Sequence, residues 1–354
     1  RLLRFKPGHG TYLPPGLLPV FQLLHFHLGD SFPCAAARSG LAAVMGSKRL
    51  KAFAVRGTKK VSIANPERFA TLRKEYLKDI RDTEHPFTQM LKKWGTGSFT
   101  SPSIAGGDTP IKNWSLYGEE GFPNHAKING DDAFISEYQT KKHACLGCPV
   151  GCKGWVRIES KAYGVVEGTK PEYETLGMLG SNCLVDDIKA IAKANDMCNR
   201  YGLDTITVGS VIGFAMECYE RGVINKDDTG GIELTWGNAQ ALLKMIEKIA
   251  RKEDIGEVLS EGVHSAANKL GKNTVEFAIH IKGLEPSYHD PRCFFSHALN
   301  YATAARGGCH NGSQSHSCEI TLSCPDLGIN EPQDRHLVDG KAEFTMKLQN
   351  LMCF

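Results

Sequence analysis

The chain has 354 residues, enough for about two domains at roughly 150 residues each. Hydrophobic residues make up 41% and charged residues 23%, which excludes a disordered chain, a collagen and a simple coiled coil. A net charge of +3, from 42 basic and 39 acidic residues, gives no reason to expect a nucleic-acid partner, and no run of about 18 apolar residues predicts a membrane span.

Residues 1–33 are rich in Leu, Pro and His without a clear period and receive no assignment. The chain begins at Arg1 and stops at Phe354 inside a helix-like run, so a piece of a longer protein is expected. Residues 38–48 read as a small-residue loop, and residues 50–55 as a strand closed by Gly57. Asn65, Pro66 and Glu67 are an N-cap, a first helical position and an acidic first turn, predicting a helix to about residue 81. This switch from strand to helix is the first expected boundary. From there the chain reads as mainly helical. Asp186 or Asp187 caps a helix that Gly202 closes, and a second helix covers residues 205–221. Further helices are expected at 238–252, 255–270, 294–305 and 341–353, with a short strand at 277–281.

Three of the twelve cysteines, Cys145, Cys148 and Cys152, fall within eight residues as C-x2-C-x3-C. Clustered thiols without a signal peptide read as metal ligands in a reducing, cytoplasmic compartment. Gly147, Pro149 and Gly151 keep the backbone off a helix, so a loop can wrap one small object. Thiolates suit an iron-sulfur cluster or zinc. Zinc would want a second Cys or His pair nearby, which is absent from the flanking sequence, so iron-sulfur is the first reading, with zinc and unliganded thiols behind it.

Several motifs then follow in order. They are the loop at 38–48, the cysteine triplet, Pro171-Glu-Tyr-Glu-Thr-Leu-Gly177, Asn199-Arg-Tyr-Gly-Leu-Asp204, Lys282-Gly-Leu-Glu285, Asp290-Pro-Arg292 and Arg306-Gly-Gly-Cys-His310. Together they resemble the aldehyde:ferredoxin oxidoreductase family of tungsten-pterin enzymes, from about residue 38 to the end. The resemblance implies a mainly α, multi-domain fold with a short β-rich N-terminal remnant, incomplete at both ends. Residues 1–64 would be the tail of a β cofactor-base domain, 65–278 a helical domain, and 279–354 the start of a second helical domain. It implies a tungsten-bis-pterin cofactor of the molybdopterin type beside a [4Fe-4S] cluster. The activity implied is oxidation of an aldehyde to a carboxylate, with ferredoxin or another iron-sulfur subunit taking the electrons.

The same resemblance implies residue roles. The fourth cluster ligand in the family is a distant downstream cysteine, a place that Cys353 takes here. Asn199, Gly202, Leu203 and Asp204 would form a pterin-binding turn, although Gly202 and Asp204 also read as a plain helix stop and the next N-cap. Arg38, Ser39, Gly40 and Ala42 resemble the loop that contacts the pterin phosphates. Glu174 matches the family's base near tungsten and His310 its acid, with an acidic first turn and a surface histidine as the plain readings. His316 is a second candidate if the substrate is larger. Cys183 is a small buried residue by default, or a neighbour of tungsten as in the benzoyl-CoA reductase branch. In the second copy of the pterin turn, Leu348 stands where an acid is expected and Leu351 where Gly is expected. Two alternatives stay open: an aryl-CoA-reducing catalytic subunit, and a non-catalytic electron-transfer fragment. A homo-oligomer is compatible with either.

Overall fold

The computed structural model describes residues 61–353 apart from residue 146, together with positions 25, 26, 34, 35, 38, 44, 47–50 and 58. All but the first residue of the expected strand at 50–55, most of the loop at 38–48, and Ser39, Gly40 and Ala42 lie outside the described residues. Two short strands, β1 (His25–Phe26) and β2 (Cys34–Ala35), pair antiparallel.

Helix α1 (Pro66–Asp82) starts as its sequence dictates: the Asn65 side chain accepts from the Arg68 N–H, and Pro66 occupies the first turn. Then come α2 (Pro86–Lys93), α3 (Thr100–Ala105), α4 (Gly118–Gly121) and α5 (Asp132–Tyr138). Next is an antiparallel sheet of β3 (Gln139–His143), β4 (Lys153–Ser160) and β5 (Gly164–Thr169), in the order β3-β4-β5. The helical reading missed this sheet. Its signal is local all the same: Val156 and Ile158 alternate with Arg157 and Glu159, and the first pair is buried while the second is exposed. Val156, Ile158 and Val166 form a small core with Phe134 and Tyr138 of α5.

The main core belongs to the helices that follow. These are α6 (Tyr173–Leu179), α7 (Ile188–Tyr201), α8 (Thr205–Glu220), α9 (Ala239–Arg251), α10 (Ile255–Leu259) and α11 (Val263–Leu270). Asp187 caps α7 through the amides of Lys189 and Ala190. Gly202 ends α7 at φ 75, a left-handed turn that a side chain resists, and Asp204 caps α8 two residues later. Helix α8 is buried nearly all round, so it reads as apolar rather than amphipathic.

Two expectations at this end are corrected. One helix over 255–270 becomes two, because Gly262 at φ 85 breaks the ladder between α10 and α11. The expected strand at 277–281 does not form: a 3-10 turn covers Thr274–Phe277, and only an isolated bridge joins Ile281 to Leu284. Phe277 and Ala278 are apolar because they pack on the main core, not because a ladder holds them. The chain then runs through α12 (Phe295–Thr303), α13 (Ser315–Ile320) and α14 (Lys341–Cys353). Leu348, the departure from the expected pterin turn, is buried with Cys318, Ile329 and Phe344, so its apolar character serves packing.

Candidate active site

Glu174 sits in the first turn of α6. Its Oε2 accepts the Tyr288 backbone N–H at 2.7 Å, and its Oε1 stands 3.1 Å from His310 Nδ1. These last two atoms face each other out of line for a hydrogen bond, and neither has another partner. The two residues proposed as base and acid therefore share one site. Burial pushes the Glu174 carboxyl up, against the opposing charge of His289, the Tyr288 amide and Arg38. Burial pushes His310 well down, and the charges of His289, Arg38 and Arg306 push the same way.

The approach of 171–177 to 288 depends on Gly177. A Cβ there would lie 1.7 Å from the Tyr288 ring, which is wholly buried. The Tyr173 hydroxyl donates to the Tyr288 carbonyl at 2.8 Å, and the Tyr288 hydroxyl pairs with Ser181 and the Pro110 carbonyl. The second glycine of Arg306-Gly-Gly has a similar reason: a Cβ on Gly308 would meet Pro286 Cα at 2.7 Å. His310 is brought to Glu174 by that close approach.

Sequence reasoning missed His289 and His297. His289 lies in the turn after Tyr288 and pairs through Nδ1 with Asp108 Oδ2 at 2.7 Å. Burial lowers its pKa, but the Asp108 carboxylate and Glu174 outweigh that and hold it above the ordinary value. Among the described residues, two sets of possible ligand atoms lie within 4.8 Å of one another: Glu174, His289 and His310, and His289, His297 and His316. The sequence hint was a histidine inside Tyr288-His-Asp290, beside a motif already singled out.

Of the expected pterin-side residues, Arg38 and Asp204 meet. Arg38 donates to Asp204 Oδ2 at 3.1 Å, to the Gly308 carbonyl at 3.0 Å and to the Glu285 carbonyl. Glu285 is buried, accepts from the Val263 N–H at 2.7 Å and lies 2.9 Å from the Thr207 hydroxyl oxygen. Leu203 and Gly202 are buried at the same turn. Asn199 donates to Thr169 Oγ1 at 3.0 Å, which ties the helix to β5. Cys183 lies in the main core, its thiol donating to the Met178 and Gly209 carbonyls, and burial pushes its pKa far up. That is the default reading of a small buried residue.

The cysteine triplet occupies the connection between β3 and β4, whose last pair is His143 with Lys153. The Cys148 amide donates to the Cys145 carbonyl at 3.0 Å, and Gly147 and Gly151 take φ of 79 and 67. Cys145 and Cys148 are exposed and Cys152 is partly buried. Burial raises the Cys152 pKa, with Glu172 adding to it, Lys153 opposing, and Cys145 and Cys148 close enough to contribute. Cys353 is exposed in the last turn of α14, which packs on α12, α13 and the His310 turn.

The donors at the first site suit a polar ligand, and three of the four expected cluster thiols share one loop. Arg38 Nε, Asp108 Oδ1, Glu174 Oε1 and His310 Nδ1 are buried without partners, which is costly by about 1–3 kcal/mol each unless a polar ligand or water meets them. Three thiols on a loop with left-handed glycines suit iron-sulfur ligation. A separate cleft of about 500 Å³ at residues 328–347 is lined by none of these groups.

A family profile described as aldehyde ferredoxin oxidoreductase, domains 2 and 3, matches residues 71–354. Tungsten-containing aldehyde ferredoxin oxidoreductases of Thermococcus kodakarensis and Pyrococcus furiosus are each 36% identical over 319 residues, covering 90% of this chain and 50% of the relative. The chain thus spans about half the length of these curated relatives. Among solved structures, the active-site complex of benzoyl-coenzyme A reductase with 1,5-dienoyl-CoA superposes at a TM-score of 0.67, with 20% identity, over 93% of this chain and 53% of that one. At that identity the likeness speaks for the fold, which agrees with the mainly helical reading. The chain belongs to the aldehyde ferredoxin oxidoreductase family.

Proposed function

We propose that this chain forms the proton-handling side of a tungsten-pterin centre that oxidises an aldehyde to a carboxylate. The observation that carries this reading is the 3.1 Å approach of Glu174 to His310 in a buried, histidine-rich site. Asp204 and the turn at 199–204 would hold pterin ring N–H groups, and Arg38 would face its phosphates. Cys145, Cys148, Cys152 and Cys353 would hold a [4Fe-4S] cluster that delivers electrons to ferredoxin. When bound, tungsten-pterin supplies the two-electron redox chemistry.

The protein's own part is proton transfer. Burial raises the proton affinity of the Glu174 carboxyl, which suits it to act as a general base, and Glu174 would take the proton lost by the hydrating water. His310, held neutral by burial, would hydrogen-bond the reacting oxygen beside that carboxyl. The Tyr288 N–H keeps the carboxylate oriented while the other oxygen works. The Asp108–His289 pair sets the positive charge that opposes the burial of Glu174.

The test is metal analysis of the anaerobically purified protein that carries this chain, with aldehyde-dependent reduction of ferredoxin or a viologen. About one tungsten and at least four irons per chain, with aldehyde turnover, support the reading. Four irons without tungsten would leave an electron-transfer role. Turnover of an aryl-CoA thioester but no aldehyde would keep the centre and change the substrate.

A further inference from the structure

We propose that His289, His297 and His316 form a zinc site beside the Glu174–His310 pair. Three observations carry it. The three rings offer one nitrogen each within 4.8 Å of one another. Both nitrogens of His297, which is wholly buried, and Nδ1 of His316, which is 8% exposed, have no hydrogen-bond partner. A buried imidazole with nothing to bind is expensive, and a metal ion is what three of them share most readily. The third observation is the Asp108 carboxylate on His289 Nδ1. A carboxylate behind a histidine fixes its tautomer and aims the other nitrogen, Nε2, at a metal.

The rings are held in place by their surroundings. Tyr301 stacks on His297 at 5.3 Å and 8°. Phe294 meets His297 and His316 edge-on. Burial keeps His297 and His316 uncharged, so their lone pairs are available. Asp108 on Nδ1 leaves Nε2 of His289 as the nitrogen available to a ligand. Zinc is the divalent ion best suited to three neutral imidazoles and an open fourth position. It would clamp the turn at 288–291, α12 and α13 together. The Glu174–His310 pair would then rest against a fixed wall.

The experiment is zinc binding by the protein as purified, after dialysis against EDTA and reloading with zinc alone. Expected is one zinc per chain, with an X-ray absorption spectrum of nitrogen neighbours at about 2.0–2.1 Å, imidazole outer-shell scattering and no sulfur shell at about 2.3 Å. His297→Gln and His316→Gln each weaken binding at least tenfold, while His336→Gln, at an exposed ring, leaves it unchanged. Near-UV circular dichroism identifies any variant that fails to fold, and the wild-type spectrum stands without the variants. Substoichiometric zinc, a sulfur shell, or folded His297 and His316 variants that bind as the wild type would overturn the proposal. Tungsten content in the same samples reports separately on the pterin reading, so either can fail alone.

Discussion

Arg38 and Asp204 meet at 3.1 Å with side chains 9% and 11% exposed, and the Arg38 side chain joins four motifs that the sequence keeps far apart. The same guanidinium reaches the carbonyls of Glu285 and Gly308. The N-terminal loop, the turn after α7, Lys282-Gly-Leu-Glu285 and Arg306-Gly-Gly thus converge on one side chain. Removing it leaves Asp204 uncompensated, because a buried carboxylate that loses its partner costs far more than an exposed one. Arg38→Met is expected to lower unfolding stability by about 3–5 kcal/mol in a denaturant titration. Arg38→Lys should recover only part of this, since an ammonium cannot match the fork of donors. A loss under about 1 kcal/mol for Arg38→Met would show that the pair behaves as a solvated one.

Gly177→Ala probes how Glu174 is held. The new methyl enters the Tyr288 ring, which is locked by Ser181, Pro110 and Tyr173 and cannot move freely. Overpacking of this kind costs about 1–3 kcal/mol. Shifting Tyr288 also moves the N–H that orients the Glu174 carboxylate. Thermal unfolding should show a lowered midpoint, and aldehyde turnover should drop with tungsten content unchanged. An unchanged midpoint would mean that Tyr288 has room to move aside.

How much of this was legible beforehand follows from the range of the interactions. Asn65, Asp187, Gly202 and Asp204 act on amides or torsions within a few residues, so the helix ends they set could be read directly. The break at Gly262 and the β3–β5 sheet were equally local, yet the reading of a mainly helical chain passed over both. Glu174 and His310 were found because each lies in a recognisable motif. His297 lies in none: its partners, His289 and His316, reach it only once α12 and α13 fold onto the turn at 288. Arg38 was expected to face a phosphate, and its bond to Asp204 depended on tertiary contact alone.

Glutamine at Glu174 separates chemistry from folding. It keeps the acceptor for the Tyr288 amide and removes the base, so turnover should fall by about 10²–10⁴ with tungsten and iron retained. His310→Asn should fall by a similar factor. The double variant should be little worse than either single one, because the two act as a unit on one reacting group. Additive losses, measured in the same dye-reduction assay, would assign them to separate steps.

The cluster assignment rests on four thiols, of which three share a hairpin and one closes α14. Cys145→Ser and Cys353→Ser are each expected to remove the reduced-cluster electron paramagnetic resonance signal, or convert it to a three-iron form. Full iron content in Cys353→Ser, with loss in Cys145→Ser, would place the fourth ligand elsewhere in the protein.

Glu285 gives a pH signature independent of turnover. Thr207 Oγ1 lies 2.9 Å from Glu285 Oε2 and 3.0 Å from Asp204 Oδ2, and its single proton can serve only one carboxylate. A protonated Glu285 resolves the conflict by donating to Thr207, which then donates to Asp204. Burial raises the Glu285 pKa in the same direction, against the Val263 amide, the Thr207 hydroxyl and Arg38. The folded pKa is therefore above the unfolded one, so the stabilisation is fully present below the ordinary value of 4.5 and is lost as pH rises through the folded value. Glu285→Gln keeps a donor for Thr207 and an acceptor for Val263 without charge. Its unfolding midpoint should match the wild type near pH 4.5 and exceed it increasingly as pH rises through the folded pKa, levelling off above it. Parallel curves would mean that Glu285 stays ionised in the fold, with Thr207 donating to it rather than to Asp204.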